Sequence, residues 1–117
     1  MIKQTTHKID ATGQAPGRLA SEIAHLLMGK HKASFVRNQD MGDAVSVSHA
    51  SKMKISGKKL DQKTYKHHTR YGHGLRVATM KHIWTTDPSD ILRRSVSRML
   101  PKNTFRTERL KRLRIVA

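Results

Sequence analysis

The chain has 117 residues, enough for one domain and too few for two of ordinary size. Its 24 Lys and Arg against eight Asp and Glu give a net charge of +16, a repulsion that calls for a polyanionic partner, nucleic acid first. With no cysteine, a disulfide framework and a thiolate metal site are excluded, and no run of apolar residues approaches the ~20 of a membrane span.

Met1–His7 has no apolar run like that of a signal peptide, so the expectation is a soluble, intracellular protein. Ile, Leu, Val and Phe total 24, which allows a modest core and suggests that the fold leans on its partner. Lys8-Ile9-Asp10-Ala11 reads as a short strand, followed by the turn-rich Thr12–Gly17. From Arg18 the period changes: Leu19, Ile23 and Leu27 form an i, i+4 stripe, and Gly29 stands where a helix C-cap would. A basic loop, Lys30-His31-Lys32, leads to Ala44–Ser48, whose valines alternate with serines as in a strand. Met53–Ser56, closed by Gly57, is a candidate third strand.

The apolar pattern then fades until Asp87, which can N-cap a helix with Pro88 at its first position. Ile91, Leu92, Ser95, Val96, Met99 and Leu100 trace one helical face; Arg93, Arg94 and Arg98 trace another, and Pro101 ends the helix. Arg112–Val116 alternates as a last strand. Strands alternating with helices predict an α/β fold on a largely parallel sheet. The charge is uneven: six basic against four acidic residues up to Ser48, eighteen against four after it. The second part carries the electrostatic footprint.

Two motifs bear on function. Gly13-Gln14-Ala15-Pro16-Gly17-Arg18 lies between strand and helix, where a helix N-terminus favours negative charge, but it matches neither nucleotide-loop fingerprint. A tight packing turn comes first, a phosphate contact through Arg18 second, and a mononucleotide site last. In Lys66-His67-His68-Thr69-Arg70-Tyr71-Gly72-His73-Gly74, adjacent histidines on an extended chain point to opposite faces. No carboxylate lies between Asp61 and Asp87 to complete a metal site or orient a catalytic imidazole. Basic groups on a glycine-permitted loop, with Tyr65 and Tyr71 as stacking faces, fit a folded RNA, with a merely solvated loop as the plainer alternative. The tail, with Arg106, Arg109, Lys111, Arg112 and Arg114 against Glu108, reads as a solvated or RNA-facing surface.

Ile9–Gly13 with Gly17–Ser21, Gly29–Lys32, Gly42-Asp43, Ser56–Lys59, Lys63, Tyr65, His67-His68-Thr69, Gly74-Leu75 and Met99–Asn103 occur in order over nearly the whole chain. On these segments the sequence resembles the ribosomal protein L thirteen family of the large subunit, in its bacterial or organellar form. It departs where the family usually reads His-Thr-Gly (here His68-Thr69-Arg70), a small residue before Met-Leu-Pro (here Arg98), and Asn-Ala (here His49-Ala50). The resemblance implies a three-layer α/β/α domain over residues 1–117, on a mostly parallel sheet of about four strands. It also implies binding to large-subunit rRNA beside neighbouring large-subunit proteins, and an early role in subunit assembly. No catalysis, cofactor, metal, membrane or small-molecule substrate is expected, and the location is the ribosome, cytoplasmic or organellar. The rRNA contacts expected are Arg18, Lys30, Lys32, Lys58, Lys59, Lys63, His67, His68, Arg70, Lys102 and Arg106. A nonspecific basic nucleic-acid-binding protein and, behind it, a nucleotide-binding α/β enzyme are the alternatives.

Overall fold

Alternating valines and serines suit a strand with one buried face, and in the computed structural model, which describes residues 4–117, they form the centre of a parallel sheet. Of the Met1–His7 stretch, residues 1–3 lie outside the described residues. Strand β1 (Thr6–Asp10) and strand β5 (Leu113–Ile115) flank β2 (Ala44–Ser48), both pairings parallel. His7, Val45 and Leu113 are in register, as are Ile9, Val47 and Ile115, and these rows face the helices. Lys8, Ser46 and Arg114 form the intervening row on the other face, exposed or half-buried.

Helix α1 (Pro16–Met28) follows β1 and packs on the sheet through Leu19, Ile23 and Leu27, all fully buried. Each such side chain contributes about 1.5–3 kcal/mol by leaving water. Gly29 ends the helix at φ 81°, its amide directed at the last-turn carbonyls, as the C-cap expectation requires. Gly42 passes so close to the Leu27 carbonyl that any Cβ there would collide with it. Helix α4 (Pro88–Met99) lies beside α1, capped by Asp87, whose carboxylate accepts from the Ser89 amide at 3.2 Å. Leu92 and Val96 join the sheet-side core, while Ile91 enters a second cluster with Tyr65, Met80 and Ile83.

The α/β class and the parallel sheet are as expected, but the third strand is not Met53–Ser56. A 3-10 turn over Ala50–Lys52 redirects the chain, and Lys54 donates to the Gln14 carbonyl instead of joining a ladder. The remaining strands are β3 (Thr64–His68) and β4 (Leu75–Thr79), an antiparallel hairpin separate from the sheet. Short helices α2 (Lys59–Gln62) and α3 (Met80–Thr86) brace its base, and α5 (Phe105–Lys111) precedes β5. The radius of gyration is 15.5 Å, against about 13 Å for a compact chain of this length. The hairpin adds to that extent: of its strand residues only Tyr65 and Ala78, at the base, are packed, and the others are exposed.

Candidate nucleic-acid interface

The N-terminus of α1 has no side-chain cap: Ala15 occupies the cap position and Pro16 the first turn. The first intrahelical amide bond at this end is from Leu19 to the Ala15 carbonyl, so the Gly17 and Arg18 amides point out of the helix end. They face a cleft of about 890 Å³ between the Gly13–Arg18 turn, the Lys54–Ser56 segment, α4 and the root of the hairpin. Arg18, Lys54, Lys59 and Lys63 line it, together with Ser21, Ser56 and Ser95, and no carboxylate does. A helix N-terminus and four cations lining one cleft without a carboxylate give it the chemistry that suits phosphate oxygens.

Tyr65, expected as a stacking face, is not available as one. It is 4% exposed, with Lys63, Arg94 and Arg98 over its ring at 5.5, 5.1 and 5.6 Å. Burial pushes its phenol up, tempered by the charges of Arg98 and Arg94. The tyrosine therefore anchors the hairpin to α4, its ring packed under two arginines of that helix, of which Arg94 also donates to Asp90 at 2.8 Å.

The hairpin carries the sequence that first suggested RNA. His67 pairs across with Arg76, and His68 with Leu75, so the adjacent histidines occupy opposite faces. The turn Thr69–Gly74 is closed by the Thr69 amide on the Gly74 carbonyl and the Gly74 amide on the Tyr71 carbonyl, at 2.8 and 3.0 Å. Arg70 and Tyr71 ride on it, Tyr71 77% exposed, and Leu75 and Val77 are also in solvent. No described carboxylate pairs with a hairpin side chain.

At the far end of α1, basic residues serve a different purpose. Asp43 is fully buried, and around its carboxylate Lys32 Nζ lies at 2.8 Å, His7 Nε2 at 2.8 Å and His31 Nε2 at 2.9 Å. Burial alone would push this carboxyl up; the bonds from Lys32, His7, the Thr5 amide and His31 outweigh it and hold it well below the usual carboxylate range. Lys32 also donates to the Met41 carbonyl, so the expected rRNA contact is an ammonium engaged inside the protein. Lys30, beside it, is exposed.

The tail shows the same division. Arg112 grips Asp40 with two bonds of 2.6 and 2.8 Å and donates to the Leu27 carbonyl, while Arg109, 3% exposed, lies over Phe105 and 3.6 Å from Asp40. Arg112's bonds are the main reason the Asp40 carboxyl is lowered, against the pull of burial. These two arginines, read from sequence as surface, fasten the 37–43 loop to the end of the chain. Lys102 is exposed and Arg106 half-buried near the start of α5, away from the cleft lining.

The structure thus brings Arg18, Lys59 and Lys63 together, sets Lys58 beside them at the start of α2, and places His67, His68 and Arg70 on the projecting hairpin. Sequence reasoning flagged the helix N-terminus after Gly13–Arg18 but missed Lys54 and the absence of a side-chain cap on the α1 amides. Lys54 was assigned to a strand, and Ala15, a residue that cannot cap, was the signal for the free amides. The departure at His49 is accommodated: its backbone is left-handed at φ 59°, a conformation Asn adopts readily and His tolerates, and its ring nitrogen lies 3.2 Å from Asp10.

Among the described residues no helix is long and apolar enough to cross a membrane. The family profile described as ribosomal protein L13 matches residues 4–117. A relative named large ribosomal subunit protein uL13 from Aquifex aeolicus is 47% identical over 92% of this chain and 74% of its own length. Proteins of the same name from Clostridioides difficile and Persephonella marina are 43% and 45% identical, over 99% and 97% of this chain and 81% and 76% of theirs. Matches of this extent reach from the first strand to the last, across both the cleft and the hairpin, and the chain belongs to the ribosomal protein L13 family, which is one of structural ribosomal constituents and not of enzymes.

Proposed function

We propose that the protein binds large-subunit rRNA at two places, phosphates in the cleft at the α1 N-terminus and a junction of RNA helices around the hairpin, and so organises the rRNA early in subunit assembly. The observation that carries this reading is that Arg18, Lys54, Lys59 and Lys63 line one cleft with the uncapped α1 N-terminus and no carboxylate does. Cations so placed neutralise phosphates and release counterions, while the amides fix the register of the backbone. The hairpin adds reach, presenting His67, Arg70 and Arg76 to phosphates or base edges and Tyr71 to an unstacked base. Lys58 extends the cationic surface at the start of α2, while Lys30, past the far end of α1, and Lys102 and Arg106, at the start of α5, would meet the rRNA away from the cleft. The place of action is then the ribosome of the cytoplasm, beside other large-subunit proteins.

Salt dependence tests it. The variant Arg18→Ala/Lys59→Ala/Lys63→Ala should lower the slope of log affinity against log salt for large-subunit rRNA by about 2–3, near one unit per lost phosphate contact. An unchanged slope in a folded variant would place the rRNA contacts elsewhere.

A further inference from the structure

Three separate segments of the chain converge on one oxygen. His7 comes from β1, His31 from the loop after α1, and Asp43 from the residue before β2. Both imidazole Nε2 atoms approach Asp43 Oδ2, at 2.8 and 2.9 Å, and the three potential ligand atoms all lie within 4.8 Å of one another. The other oxygen, Oδ1, is held by Lys32 Nζ at 2.8 Å and by the Thr5 amide at 3.2 Å. The fold therefore fixes one side of the carboxylate and presents the other to two histidines. From this we propose that His7, His31 and Asp43 form a binding site for a divalent transition metal, zinc being the best match.

Two imidazoles and a carboxylate are ligands zinc takes readily, whereas magnesium and calcium prefer oxygen alone. With metal–ligand bonds of about 2.0–2.1 Å, tetrahedral ligands stand about 3.3 Å apart. The present 2.8–2.9 Å contacts to Asp43 would open by a few tenths of an ångström, and the two Nε2 atoms, within 4.8 Å of each other, would settle to that same spacing around the ion. Lys32 and the Thr5 amide would then serve as outer hydrogen bonds that orient the carboxylate, as such partners do in metal sites. The histidines are about a third exposed, which leaves an entry path and a fourth position for water. The ammonium of Lys32 opposes the added charge from the far oxygen, so the site is one of moderate affinity. Metal takes the Nε2 lone pair of each imidazole, so the ring proton is carried on Nδ1 in the metal-bound form. The hairpin histidines, by contrast, stand on opposite faces with no carboxylate near and provide no such set.

Cobalt(II), which reports its coordination in the visible spectrum, is the probe, with zinc as competitor and the full chain as host. One cobalt per chain is expected, displaced by zinc and unaffected by excess magnesium. His7→Gln and His31→Gln keep an N–H to donate to Asp43, so the fold is retained while a ligand is lost. Each should weaken uptake by at least about tenfold, whereas His67→Gln/His68→Gln should leave it unchanged. No cobalt spectrum at millimolar metal, or a spectrum that survives both glutamine changes together, would overturn the site.

Discussion

The loop-and-tail region around Asp40 and Asp43 and the hairpin 64–79 are built from the same residue types and use them in opposite ways. In the first, Lys32, His7, His31, Arg109 and Arg112 all turn toward two buried or half-buried carboxylates. In the second, Lys66, His67, His68, Arg70 and Arg76 face solvent with no acid among the residues around them. A cation's role here follows from where the carboxylates are, and six of the chain's eight acids have partners that the fold itself supplies, Asp10, Asp40, Asp43, Asp87, Asp90 and Glu108. Only Asp40 and Asp43 are drawn inward with their cations; Asp10, Asp87 and Glu108 stay at the surface, away from the hairpin strands.

The contrast breaks most visibly at Asp43. Asp43→Ala leaves Lys32 facing a buried gap and two histidines without an acceptor. It should cost about 2–4 kcal/mol in urea denaturation, below the ~3–5 of a fully buried pair because His7 and Lys32 keep some water. Acid should act through the same group. A carboxyl whose folded pKa is depressed stabilises the fold above its unfolded value, and that contribution drains away as pH falls below about 4 toward the folded pKa. Urea midpoints measured between neutral pH and pH 3 should fall in the parent and fall less in Asp43→Asn; parallel curves would contradict the assignment.

Two lysines sharpen the comparison. Lys32→Ala should lower stability by about 1–3 kcal/mol, through the loss of a charged hydrogen bond to a buried acceptor. Lys59→Ala, exposed at the cleft, should leave stability within about 0.5 kcal/mol and weaken rRNA binding instead. Thermal denaturation beside a filter-binding titration separates the two, and equal losses of stability in both would erase the distinction. The smallest stability effect belongs to His67→Ala/His68→Ala, within about 0.5 kcal/mol, because neither ring is buried. Its consequence should appear only in rRNA affinity.

Elements with a local signal were legible in the sequence. The Leu19–Ile23–Leu27 stripe, Gly29, the Val45–Val47 alternation and the Asp87-Pro88 start each appear where their physics put them. The hairpin was not, because β3 has one buried residue among polar and basic ones, and the Leu75-Arg76-Val77 alternation of β4 is three residues long and its apolar side lies in solvent. Helix α5 escaped for a similar reason: its buried side is an arginine. In the candidate site, Arg18, Lys59 and Lys63 could be named, but no sequence pattern says that Lys32 meets Asp43 or that Arg112 meets Asp40, 72 residues away. Those partnerships are tertiary, and with them goes the division between cations that hold the fold and cations that face outward.

Amide hydrogen exchange with and without large-subunit rRNA tests that division most directly. A hairpin of two five-residue strands packed only at its base opens readily by itself, so residues 64–79 should exchange fast in the free protein. RNA binding at the hairpin and cleft should slow exchange over 64–79 and at the amides of 13–18, while 19–28 and 43–48 stay protected in both states. If the hairpin is as protected alone as in the complex, or if protection appears instead around 37–43, the outward-facing cations are not the ones that hold the RNA.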